Sequence, residues 1–318
     1  MRSNRIESAG RVVLRKVLKV LGLLLLAASV VFAVIAWRNW DLIQRVFLGG
    51  VKVYETVPPQ IPANIPRPAV LVFSKTNAFR HEEAIPAAAK MFDTLARQNG
   101  WGLYQTENGA AFSPEILSRF DTVVFSNVTG DVFTPEQRAA FKAYLENGGG
   151  YVGIHGAGDN SHKAWDWYVT SVIGTNFIGH PMDPQFQSAA VNIETHAHPS
   201  TASLPDRFDH VDEWYSFDKS PRGIPGLTVL ATIDESSYKP GSFMGTELAM
   251  GKDHPVAWWR CVGQGRVFYA AAGHTAQTYD DPKYRQFLTG AVQWAMKRAG
   301  NGCGSDAGNA TGSAQAAE

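Results

Sequence analysis

Cysteine is nearly absent: there are two in 318 residues, Cys261 in an apolar run and Cys303 in a glycine-rich tail. That excludes a disulfide framework and any zinc site built on cysteine pairs. A bond between the two would pin the tail to a strand, and nothing in the sequence requires it. Net charge is absent too, with 29 Lys and Arg against 29 Asp and Glu. No broad basic stripe follows residue 69, so no nucleic-acid partner is expected. There is no HExxH helix. The triplet Gly148-Gly149-Gly150 precedes a strand instead of joining a strand to a helix, which excludes a phosphate loop. No internal repeat is present.

What is present begins with one long apolar run, VLGLLLLAASVVFAVIAW from Val20 to Trp37, without a charge. At about 1.5 Å per residue it nearly spans a hydrocarbon core of about 30 Å. Six basic residues from Arg2 to Lys19 precede it against the single acid Glu7, and mixed charges follow it. This asymmetry places the N-terminus in the cytoplasm and the remainder outside, in the periplasm of a Gram-negative cell. Ala27-Ala28-Ser29 offers a signal-peptidase site as the competing reading. The apolar run continues past it to Ile35 with no polar region, which favours an uncleaved anchor. The expected organisation is a basic segment at 1–19, a transmembrane anchor at 20–40 and a juxtamembrane linker at 41–68. A domain at 69–298 and a disordered tail at 299–318 complete it. Five prolines between residues 55 and 68 read as a semi-rigid spacer.

Within 69–298, strand-like and helical runs alternate. Ala69–Ser74 is a continuous apolar run and 81–98 has helical periodicity. Strands follow near 101–106 and at 121–126. Thr134, Pro135 and Gln137 spell an N-cap, a proline in the first turn and a capping box. A strand at 151–154 follows, and from about 186 the chain becomes β-rich. The alternation predicts an α/β fold with a mainly parallel sheet flanked by helices and a β-rich C-terminal half.

Parallel sheets bind ligands at the carboxyl ends of their strands. Arg80 and His81 follow the first strand, where an Arg fork suits an anionic or polyhydroxyl ligand and a helix N-terminus is the plainer alternative. His155 and Asp159 lie in HGAGD after the strand at 151–154, an elbow that presents His155 outward. A glycine-rich turn with a backbone-bonded histidine is the alternative. Glu213 is a candidate acid or base flanked by Trp214 and Tyr215, or else an edge carboxylate paired with a base. His274 follows a run of small residues. His196 and His198 have strand spacing but loop surroundings. Nine histidines leave a mixed His and carboxylate site open, so a divalent metal is possible with no ligand set specified.

Six segments stand in one order: KTNAFRH at 75–81, GGGYVGIHGAGD at 148–159, HPSTASLP at 198–205, DEWYSF at 212–217, HPVAWW at 254–259 and GQGRVFYAAAGHT at 263–275. Together they resemble the ThuA-like family associated with trehalose utilisation. The resemblance implies a flavodoxin-like fold of the class I glutamine amidotransferase kind and a link to disaccharide or keto-glycoside metabolism. Those amidotransferases carry a nucleophilic cysteine at the elbow. His155 stands there in this chain, so thioester chemistry is not expected. The expected function is a membrane-anchored hydrolase or lyase of carbohydrates, with His155, Glu213 and His274 catalytic. Arg80, His81, Asp159, Trp214 and Tyr215 would bind substrate, with Trp258 a further stacking surface. The alternative is a non-catalytic sugar-binding or partner-binding domain displayed on the envelope.

Overall fold

The computed structural model describes residues 2–303, with side chains from Leu14 onward. The chain divides into two compact units, residues 1–49 and 50–318. In the first, α1 (Arg2–Arg38) contains one stretch, Leu14–Arg38, that is long and apolar enough to cross a membrane. Its 25 residues rise about 37 Å at 1.5 Å per residue, more than a hydrocarbon core needs. A short amphipathic helix follows, α2 (Trp40–Phe47).

The second unit is an α/β domain. Its strands are β1 (Ala69–Phe73), β2 (Gly102–Thr106), β3 (Thr122–Ser126), β4 (Gly150–Ile154), β5 (Phe177–Gly179), β6 (Phe186–Ile193) and β7 (Arg207–Glu213). The chain continues through β8 (Ser216–Phe217), β9 (Leu227–Asp234), β10 (Ser242–Phe243), β11 (Thr246–Glu247), β12 (Pro255–Val262) and β13 (Gly265–Ala270). The helices are α3 (Ala84–Asn99), α4 (Pro114–Leu117), α5 (Pro135–Glu146), α6 (Ala276–Asp280) and α7 (Pro282–Ala295). Nine strands form one sheet in the order β2-β1-β3-β4-β13-β12-β9-β6-β7. From β2 to β13 every pairing is parallel, and from β13 to β7 every pairing is antiparallel. This is the expected fold class, mainly parallel at its centre and consistent with a glutamine amidotransferase-like architecture.

The sequence patterns show why each layer forms. β1, β3 and β4 are buried along their whole length, as strands covered on both faces must be. Thr134 caps α5 and Gln137 returns the bond to the Thr134 amide, completing the capping box. Phe141 of α5 packs on Phe125 and Tyr151 at ring-centroid distances of 5.1 and 5.7 Å. Phe287 of α7 packs on Phe268 at 5.2 Å. Phe268 is in register with Val152, the neighbour of Tyr151, so alternation puts α5 and α7 on opposite faces.

The antiparallel half curls strongly. Three strands separate β13 from β7, and in a flat sheet four spacings of about 4.8 Å would hold them about 19 Å apart. Instead Asp212 on β7 bonds the amide of Gly273, just past β13, at 2.8 Å. This curl brings an edge strand to the middle of the sheet.

Three boundaries differ from the sequence reading. The proline-rich segment is not a free spacer, because residues 50–68 lie on the domain. Lys75 pairs with Glu55 and donates to the Val53 carbonyl at 2.6 Å, Tyr54 bonds Asp131 at 2.9 Å, and Arg67 pairs with Asp121 at 2.8 Å. Glu55 also accepts from the Gly109 amide at 2.8 Å, so the docked segment supplies partners to the buried Lys75 and Gly109. The chain also stays packed past residue 299. Arg266 donates to the Trp294 carbonyl at 2.9 Å and to Ala299 and Gly300 at 3.3 Å, and Cys303 is buried in a disulfide with Cys261. The remainder of the expected disordered tail, 304–318, lies outside the described residues. Finally, the first helix begins at Ala84, not His81, which leaves His81 in the loop.

Candidate functional site

His155 directly follows β4, at φ +50°, a left-handed conformation uncommon for a residue with a Cβ. The elbow is real, but it turns the side chain inward: His155 is fully buried. The chain continues as a single 3-10 turn, His155–Gly158, and Gly158 is needed there because a Cβ would meet the Tyr269 ring at 2.4 Å. His155 Nδ1 donates to the Ala271 carbonyl at 2.7 Å, which directs Nε2 to the cluster.

Three donor atoms form a triangle. His155 Nε2 lies 3.0 Å from His274 Nδ1, His274 Nδ1 lies 3.0 Å from Glu213 Oε2, and His155 Nε2 lies 3.4 Å from Glu213 Oε2. The second carboxylate oxygen, Oε1, accepts from Gln185 Nε2 at 2.5 Å and lies 3.1 Å from His180 Nδ1. Asp212 holds the frame: it accepts from the amides of Gly273 and His274 at 2.8 and 3.0 Å, from Thr278 Oγ1 at 2.8 Å and from the Glu213 amide at 2.8 Å. His81 adds a third imidazole, its ring centroid 4.8 Å from that of His155 and 4.6 Å from that of His274. It is 4% exposed, and its Nδ1 has no hydrogen-bond partner.

The charges follow from this packing. Burial opposes the Glu213 carboxylate, but hydrogen bonds with His155 and His274 outweigh it and hold its pKa far below the usual range. Burial likewise opposes charge on His155, and the Glu213 hydrogen bond and charge raise its pKa above the ordinary histidine value. His81 goes the other way, well below, through burial and then the neighbouring imidazoles. A carboxylate favoured in its charged form, an imidazole whose charged form it favours and an imidazole whose neutral form burial favours therefore share a site whose partly exposed member is His274. Phe79 and Phe186, each 43% exposed, lie against that member with ring centroids 6.3 and 5.0 Å from His274.

Of the residues singled out from sequence, His81, His155, Glu213 and His274 come together. Tyr215 is buried and stacks on His155 at 4.2 Å, so it supports the ring from behind and does not face a ligand. Arg80 does not present a free fork, since both its terminal nitrogens pair with Glu107 at 2.8 and 2.9 Å. Asp159 caps a turn by accepting from the Ser161 amide at 2.8 Å. Trp214 and Trp258 are core residues whose indoles donate to the carbonyls of Gln187 and Ile173. His196 pairs with Asp206, whereas His198 is buried against Trp294, so the two do not form a site.

Sequence reasoning missed Asp212, His180, Gln185, Phe79 and Phe186. Phe79 lies within KTNAFRH at 75–81 and Asp212 opens DEWYSF at 212–217, each close to a candidate in sequence. His180 and Gln185 belong to a loop between β5 and β6 with no motif to mark it.

Among curated proteins none matches this chain. A solved ThuA-like protein from Bacteroides uniformis is 27% identical with a TM-score of 0.62, over 75% of this chain and 95% of the other. One from Parabacteroides merdae is 18% identical with a TM-score of 0.52, over 72% and 89%, and shares the fold. The family model ThuA, described as trehalose utilisation, matches residues 69–295, which carry every member of the His and Glu cluster, and the chain belongs to that family.

Proposed function

We propose that the protein processes carbohydrates outside the cytoplasm, tethered by α1, with disaccharides or their keto-glycoside derivatives as substrates. The observation that carries this reading is the placement of Phe79 and Phe186 around His274, above a buried carboxylate and two further imidazoles. Aromatic faces take the C–H faces of sugars, and the polar cluster beneath suits proton transfer. The family's description, trehalose utilisation, supports the same substrate class. In a keto-sugar the C–H bond beside the carbonyl is acidic enough for an imidazole or carboxylate to break. The electron pair then forms a C=C bond as the glycosidic C–O bond breaks, and the leaving oxygen takes a proton back from the triangle.

The location rests on three features: the span in α1, the basic residues before it, and the Cys261–Cys303 disulfide, which belongs to an oxidising compartment. The test is turnover by the purified full chain in detergent, with disaccharides and keto-disaccharides as substrates and products followed by mass spectrometry. Product formation lost in Glu213→Gln and His155→Ala supports the reading. Full turnover in the double variant removes it. Saturable binding without turnover makes the chain a sugar-binding display domain instead.

A further inference from the structure

We propose that His81, His155, His274 and Glu213 are the ligands of a divalent transition-metal ion. The first argument is metrical. Donor atoms about 2.1 Å from a cation stand about 3.0 Å apart at a right angle and about 3.4 Å apart at the tetrahedral angle. The edges of the triangle are 3.0, 3.0 and 3.4 Å, so His155 Nε2, His274 Nδ1 and Glu213 Oε2 are already spaced as neighbours in one coordination shell.

The second argument is the layer around the ligands. A metal-binding imidazole uses its other nitrogen to donate to a carbonyl or carboxylate, which fixes ring and tautomer. His155 does so through Nδ1 to the Ala271 carbonyl. Glu213 is held in the same manner, with Oε1 occupied by Gln185 and His180 and Oε2 turned to the two imidazoles. The third argument is His81. A buried ring nitrogen without a partner is destabilising, and a cation would supply one. One nitrogen from each of the three histidines lies within 4.8 Å of the others. Ligands on opposite sides of a cation stand about 4.2 Å apart, so the site closes with a small rotation of His81.

Three nitrogens and one oxygen, with no thiolate, suit Zn²⁺, Mn²⁺, Fe²⁺ or Co²⁺ better than Ca²⁺ or Mg²⁺. The inference deepens the carbohydrate reading, because a bound cation polarises a sugar carbonyl. Its test uses no sugar, so the two stand or fall separately.

The experiment strips the purified full chain with a chelator and titrates it with Zn²⁺ and with Co²⁺. Zn²⁺ is read by calorimetry and bound-metal analysis, and Co²⁺ by its visible spectrum. One equivalent is expected to bind, with a single set of Co²⁺ bands showing nitrogen and oxygen ligation. His81→Gln and Glu213→Gln are expected to weaken it about 100-fold, and the supporting Gln185→Ala about 10-fold. His196→Ala, in a remote loop, should change nothing. No binding by the folded wild-type chain overturns the proposal, as does equal binding in wild type and in folded His81→Gln and Glu213→Gln. The wild-type Co²⁺ spectrum decides alone if those variants do not fold: bands support the site, and their absence removes it.

Discussion

Asp212 and His274 are joined through the backbone: the His274 amide donates to Asp212 Oδ1 at 3.0 Å, while Oδ2 takes the preceding amide of Gly273 at 2.8 Å. This pair of bonds fastens the edge strand to the loop after β13 and so creates the site. The Glu213 amide and Thr278 hydroxyl also donate to Asp212, which is wholly buried. Asparagine has the same shape but one acceptor oxygen, and its NH₂ would face donors. Asp212→Asn is therefore expected to cost about 3 kcal/mol, from donors left unpaired, and to abolish ligand binding at His274. Urea unfolding measures the first and calorimetry the second. A loss below about 0.5 kcal/mol would mean that the loop holds itself.

The segment before β1 is a structural strap. Lys75 has 6% of its side chain exposed and Glu55 31%, and they pair across the fold. Removing one partner leaves the other uncompensated, so Glu55→Ala should destabilise the chain by about 3 kcal/mol. A soluble chain beginning at residue 69 should melt well below one beginning at residue 50. Equal melting temperatures would restore the spacer reading.

The disulfide closes a loop between residues 42 apart in sequence. Constraint of the unfolded chain by a loop of that size stabilises by roughly 2–4 kcal/mol. Cys303→Ser should lose that amount, and so should the wild type under reductant. In intact cells neither cysteine of the wild type should react with maleimide until the protein is reduced. Two readily labelled thiols would speak against the outward orientation.

His198 gives the pH dependence a definite sign. Burial, and then the charge of Arg266, lower its pKa from 6.5 to about 3. The unfolded chain therefore binds a proton that the folded chain refuses. The stability is present above about pH 6.5 and is lost as pH falls toward 3, by about 2 kcal/mol at about pH 5. His198→Gln should flatten the stability slope by up to one proton between about pH 6 and 4. An unchanged slope would show that the ring is protonated in the fold.

Much of this was legible in the sequence because it is local. Apolar runs named β1, β3 and β4, and the Thr134–Gln137 box placed the start of α5. His155, Glu213 and His274 were singled out because ligands sit at strand ends, and the fold does bring the three side chains together. Residue type does not reveal a partner, so the sequence did not show that Glu107 pairs with Arg80 or that Trp214 lies in the core. The curl that brings β7 to β13 is a tertiary property with no periodic signature, so Asp212, His180 and Gln185 went unmarked. Proline-rich composition predicts a semi-rigid spacer, and it does not reveal whether such a segment docks on the domain.

The central claim is that a carbohydrate ligand seats on His274, over the buried His155 and Glu213. It is tested most directly by ¹⁵N-histidine NMR of the full chain in detergent as a keto-disaccharide is added. The account predicts saturable shifts of the His155 and His274 ring nitrogens, with those of His196 and His198 unmoved, and loss of the response in Phe186→Ala. Saturable binding that leaves the His155 and His274 resonances in place would contradict it, and so would no response to any sugar.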